Sequence, residues 1–189
     1  VPSKFKIDVK TSGGDIEAKF IVGLINLHTS GGDIEIKKSE GELEAITSGG
    51  DIEISNFSGN IILKTSGGDI EAKEIIGNTE AKTSGGDIEL NVMNGKIIAG
   101  TSGGSIGLKY KGENRGVELY TSGGSIDVKL PNDFNADVTL KTSGGSIQNK
   151  FDKSRPIEIS KTKFEGKFNG GGSEFVVKTS GGSIYVNDK

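Results

Sequence analysis

The tetrapeptide Thr-Ser-Gly-Gly recurs nine times, starting at Thr11, Thr29, Thr47, Thr65, Thr83, Thr101, Thr121, Thr142 and Thr179. The first five intervals are 18 residues, followed by 20, 21 and 37. A fixed period of this length marks a stack of units, each of which can bury its apolar side only against its neighbours. With Thr as position one, position six is Ile in every repeat, from Ile16 to Ile184, and position eight is apolar in all but one, where Asn149 stands. Position thirteen is Gly in the first five repeats (Gly23, Gly41, Gly59, Gly77, Gly95), and positions fifteen and seventeen are again mostly apolar. This is period-two patterning on two short strands joined by glycine corners.

Stacking such units predicts an all-β fold, a single-stranded right-handed parallel β-helix (β-solenoid) of about ten coils with roughly 18 residues per coil. The handedness comes from the general preference of parallel crossovers. A hexapeptide helix would also give a period of 18, but it needs an aliphatic residue every sixth position. Positions twelve and eighteen read Val22, Glu40, Ser58 and His28, Ile46, Lys64, which does not meet that need. One domain over 1–189 is expected: an N-terminal half-coil at 1–10, regular coils over 11–147, an irregular and degenerate coil over 148–178, and a last coil over 179–189. The 37-residue interval is about two periods, which places the degenerate repeat at 161–178. Segments 111–116, 131–135 and 151–156 leave the period and are expected as corner loops. The half-coil with Ile7 and Val9 and the strand ending at Val186 are expected to leave open sheet edges, which points to end-to-end self-association.

Composition narrows function by exclusion. The chain has 31 Gly among 189 residues and only 32% hydrophobic residues, so the core is thin. Absence of Cys rules out disulfides, thiol nucleophiles and thiolate metal sites, and a single His rules out multi-histidine metal centres. A net charge of −3 without a basic run argues against nucleic acid or an anionic membrane as partner. The chain opens Val1-Pro2 and not with Met, which reads as a processed product or an excised piece from which an upstream signal or anchor could have been removed; any membrane attachment would run through such a missing segment.

The most regular polar column is position five: Asp15, Asp33, Asp51, Asp69 and Asp87, continued by Ser105, Ser125, Ser146 and Ser183. Asp and Ser both accept from backbone N–H groups after a tight turn, which makes them turn residues. A carboxylate column is also a candidate calcium site, since hard cations take several oxygens. Position seven is Glu in the first five repeats and position nine is often Lys, as in Lys19, Lys37 and Lys73, which reads as a solvated ion-paired face. Thr at position one shares the parity of inward residues and is expected to form a hydroxyl ladder at the core edge. On the outer face of the second strand, Ile46, Ile62, Ile98 and Tyr120 are the candidate apolar binding surface. His28 is expected at the surface. No residue set points to catalysis or to a cofactor.

The Thr-Ser-Gly-Gly-Asp/Ser-Ile motif, followed by Glu or another polar residue and then an aliphatic, resembles a bacterial family of adhesin-type repeat domains of unknown function. The resemblance covers residues 11–189. It implies a right-handed β-helical domain, a cell-envelope or extracellular location, and no established catalytic residues. The expected function is therefore a non-enzymatic surface domain, a rigid binding or spacer module for a protein or glycan. The alternatives are a calcium-dependent surface domain using the Asp column and a carbohydrate-active β-helix enzyme.

Overall fold

The structure, a computed structural model, describes residues 5–188. The ends of the expected half-coil (1–4) and of the last coil (189) lie outside the described residues. The strands are β1 (Phe5–Lys10), β2 (Ile16–Lys19), β3 (Val22–His28), β4 (Ile34–Ile46), β5 (Ile52–Lys64), β6 (Ile70–Ile76), β7 (Thr79–Lys82), β8 (Ile88–Met93), β9 (Ile97–Thr101), β10 (Ile106–Lys111), β11 (Val117–Thr121), β12 (Ile126–Leu130), β13 (Ala136–Thr142), β14 (Ile147–Asn149), β15 (Ser154–Ile159), β16 (Lys163–Phe168), β17 (Glu174–Thr179) and β18 (Ile184–Asp188). The fold is all-β, a parallel β-solenoid with about 18 residues per coil, as the period requires.

Each coil contributes to two faces. One face pairs the strands after the Thr-Ser-Gly-Gly corner, with Ile34 beside Ile52, Ile52 beside Ile70 and Ile70 beside Ile88. The other pairs the strands after the second corner, with Leu27 beside Ala45 and Ala45 beside Leu63. Positions six, eight, fifteen and seventeen fill the narrow core between them, and Ile36, Ile54, Leu63 and Ala81 are fully buried.

The glycine corners are set by how closely coils approach. A Cβ on Gly50 would lie far inside 3.0 Å of the Gly32 carbonyl oxygen, and one on Gly41 would meet the Gly23 carbonyl while needing a φ of +125°. Only Gly fits a column where backbone stacks directly on backbone.

Two expectations fail at the far end. Residues 161–178 are not a degenerate coil: β16 runs antiparallel to β13 and forms a hairpin with β15. The cause is local, since Ser160 closes a tight turn by donating its N–H to the Lys163 carbonyl at 2.8 Å. A hairpin fixes the return strand as antiparallel. With Phe151 and Phe168 stacked at 4.2 Å and Phe164 beside them, this segment closes the end of the core. Nor is the strand ending at Val186 an open edge. The last coil lies inside the stack, β17 between β11 and β13 and β18 between β12 and β14. At the opposite end, β1 and β2 form the first level, with Phe5 and Phe20 exposed.

Candidate functional site

The position-five column resolves into a backbone ladder. Each side chain accepts the N–H of the equivalent residue one level on: Asp15 Oδ1 from Asp33 at 2.9 Å, Asp33 from Asp51 at 2.8 Å, then Asp51 from Asp69, Asp69 from Asp87 and Asp87 from Ser105 at 2.7 Å. The serines continue it, Ser105 Oγ accepting from Ser125 and Ser125 Oγ from Ser183. Asp and Ser therefore exchange in this column because both offer an oxygen at the same height. Among the described residues no three acidic or histidine side chains gather as a metal-binding group.

The Thr column works beside it. Thr47 Oγ1 donates to the Gly32 carbonyl at 2.9 Å and accepts from Gly50 N–H at 3.3 Å, tying one coil to the next and closing its own corner. The same pair of bonds recurs from Thr29 to Thr179. The hydroxyls are buried at the core edge, where parity placed them.

On the outer face of the first sheet, Glu and Lys pair within coils: Glu17 with Lys19, Glu35 with Lys37, Glu71 with Lys73. The Lys19 hydrogen bond holds the Glu17 carboxyl below its ordinary range, and Glu35 and Glu71 hold Lys37 and Lys73 above theirs. The pairing lapses at Glu53 and Glu89, whose own coils have Ser55 and Asn91 in place of Lys. The Glu89 carboxylate folds over Gly107, which has no side chain to displace it. Burial raises the Glu89 pKa, and Glu71, Asp127 and Asp87 add like-charge repulsion. With Asp51, Asp69 and Asp87 it lines a shallow depression of about 330 Å³.

The candidate apolar surface is not one patch. Ile62 and Ile98 share a row but flank Glu80, and Ile46 and Tyr120 share the next row with Lys64, Lys82 and Gly100 between them. The Glu80 and Lys82 side chains are joined at 2.7 Å, so an ion pair crosses the middle. The structure leaves two small groups, Ile46 with Ile62 and Ile98 with Tyr120. His28, expected at the surface, is half buried between Lys10 and Ile46.

A feature without a sequence signal sits at the corner opposite the Thr column. Position ten adopts a left-handed backbone in four successive coils: Phe20 (φ 59°), Lys38 (51°), Asn56 (56°) and Glu74 (55°). This reverses side-chain parity, so position eleven turns inward and Phe57 and Ile75 are buried in a third core column. Ser39 occupies that column by accepting Ile21 N–H at 3.1 Å and donating to the Lys37 carbonyl. Positions ten and twelve then project to either side and leave a groove of about 570 Å³ along the axis, lined by Lys38, Glu40, Asn56, Ser58, Glu74, Ile76 and Met93. A second hollow of about 380 Å³ shares Asn56, Glu74 and Asn91 with it and extends to Lys109. In coil five the left-handed residue moves to Asn94 and the register shifts, which ends the groove's regular part.

The model of a family described as Toastrack DUF4097 matches residues 3–187. No curated protein and no solved structure matches the chain. The family match agrees with the solenoid and extends across the out-of-order last coil.

Proposed function

The chain belongs to the Toastrack DUF4097 family, and from that premise we propose that it is a non-enzymatic repeat domain, a rigid binding and spacer module that holds an extended protein or glycan segment in the groove beside positions ten and twelve. The observation that carries the reading is the groove itself: a strip spanning several coils, edged on one side by Lys38, Asn56 and Glu74 and on the other in part by Ile76, which is 51% exposed. An axial groove on a rigid stack matches an extended ligand, because binding then orders the ligand and not the protein. The spacer role rests on two continuous side-chain ladders tying coil to coil, at about 4.8 Å per level. The non-enzymatic reading is supported by the acids themselves. The aspartates are committed to backbone N–H groups and most of the facing glutamates to lysines, whereas hydrolysis needs a free acid pair across a gap.

An envelope or extracellular setting, with adhesion as the biological use, is the finer part of this proposal and rests on the resemblance of the repeat motif. No helix among the described residues is long and apolar enough to cross a membrane. End-to-end contact would use the first level, where Phe5 and Phe20 stand exposed.

The test is an array of immobilised extended oligosaccharides and unstructured peptides, probed with the chain and with Ile76→Lys and Tyr120→Ser variants. Binding abolished by Ile76→Lys and kept by Tyr120→Ser supports the groove. The reverse pattern would move the site to the second sheet.

A further inference from the structure

The coil built from β17, the Thr179 corner and β18 is last in the chain but not last in the stack. Val177 pairs with Leu119 on one side and with Leu140 on the other, and Ile184 stands between Ile126 and Ile147. Its hydroxyl ladder is engaged on both sides: Thr179 Oγ1 donates to the Gly124 carbonyl at 2.8 Å, and the Gly182 carbonyl accepts from Thr142 Oγ1 at 2.6 Å. Phe175, Val177, Ile184 and Val186 are fully buried there. From β11 to β13 the chain advances two levels, about 10 Å, instead of one, and so leaves a slot one coil thick between them. Residues 174–188 fill that slot.

The entering coil is linked to the strands before it through residues 169–173. Asn169, Gly170 and Gly171 all have positive φ (49°, 100° and 102°), and Gly172 follows. Glycine takes such angles without strain, and Asn169 anchors the run by donating from Nδ2 to the Asn132 and Phe134 carbonyls at 2.8 and 3.1 Å. The slot is also selective, since a Cβ on Gly182 would lie far inside 3.0 Å of the Gly124 carbonyl and one on Gly145 would strike Gly182. Only a segment with a Gly-Gly corner and a Thr or Ser at ladder height fits between the two edges.

We propose that this slot is an interaction site for a second copy of this chain: the last coil of each molecule fills the slot of the other, making a reciprocal exchanged dimer. The occupant is set by the slot's own chemistry, because the partner's last coil brings the same glycines, the same hydroxyls and the same register. Exchange reproduces every pairing of the single molecule, so the equilibrium is governed by chain concentration against the local concentration imposed by the tether, on the order of millimolar.

The chain has no cysteine, so introduced thiols report cleanly. Lys141 and Lys178 are register partners on an outward row. Full-length Lys141→Cys and Lys178→Cys variants, purified separately, are mixed at high concentration in mild urea, returned to buffer and oxidised. Lys64→Cys and Lys82→Cys, partners on consecutive coils, serve as the control pair. Exchange gives mixed disulfide dimers several-fold above the control pair and rising with concentration. Mixed dimers no more abundant than in the control, while the Lys141→Cys/Lys178→Cys double variant closes within one molecule, would overturn the proposal. Failure of that double variant to close would overturn it as well, by removing the register it rests on.

Discussion

The backbone N–H of Ser183 donates to Oγ of Ser125 at 3.1 Å, although 58 residues separate them along the chain. In the regular coils the same bond spans 18 residues. The column is thus continuous in space while the chain that builds it is out of order, and the chemistry of one level is independent of which segment supplies it.

Glycines within one corner carry different loads. A Cβ on Gly49 meets nothing nearer than 3.8 Å, whereas one on Gly50 would overlap the Gly32 backbone. Gly50→Ala is expected to lose about 3 kcal/mol and Gly49→Ala to stay within about 0.5 kcal/mol of the parent, read from urea unfolding midpoints. Equal effects at the two positions would contradict the stacking geometry.

The Asp column holds backbone N–H groups through Oδ1. Asp69→Ser should cost little, because serines already occupy the later levels, while Asp69→Ala strands the Asp87 N–H and should cost about 1–2 kcal/mol. Millimolar calcium should leave the melting temperature of the parent unchanged. A rise of several degrees that Asp51→Ser and Asp69→Ser abolish would restore the calcium reading.

Glu89 sets a pH dependence of definite sign. Its native pKa lies above that of the unfolded chain, so the folded state binds the proton more tightly and stability falls as pH rises from the ordinary Glu value of 4.5 through the raised native value. Glu89→Gln should therefore melt higher than the parent at neutral pH, with the difference closing below pH 4.5. A variant less stable at neutral pH would mean that the carboxylate makes a bond that outweighs its burial.

The groove depends on the left-handed residue in each coil. Glu74→Asn keeps a residue that tolerates this backbone and should fold with unchanged or slightly raised stability, whereas Glu74→Val should lose about 1–2 kcal/mol. Thermal melts of the two variants decide it, and equal losses would place the bulge elsewhere.

What the sequence reveals follows from how directly a residue type encodes its geometry. Ile at position six, Gly at positions four and thirteen and Thr at position one are each required by burial or backbone contact, so the two sheets and both ladders are legible. The third core column is not, because its cause is the left-handed backbone of Phe20, Lys38, Asn56 and Glu74, and only one of those four is a residue that favours it. The last coil misled for a different reason. Its motif is that of any other coil, and a repeat specifies what its neighbours look like without saying which copies they are. Only the hairpin turn at Ser160 and the glycine run after Asn169 hint that the chain doubles back. Ile62 and Ile98 show the corresponding limit at the surface, since each faces outward as parity requires and the intervening Glu80 decides whether they meet.

The central claim, a rigid stack whose levels are set by ladder chemistry and not by chain order, is tested most directly by disulfide trapping in the serine column. Three double variants suffice: Ser125→Cys with Ser183→Cys, Ser146→Cys with Ser183→Cys, and Ser125→Cys with Ser146→Cys. Adjacent levels are about 4.8 Å apart, within disulfide reach, and alternate levels are about 10 Å apart, beyond it. The account predicts rapid closure within one molecule for the first two pairs and none for the third. Closure of the third pair without the second would mean that the coils stack in sequence order and would contradict it.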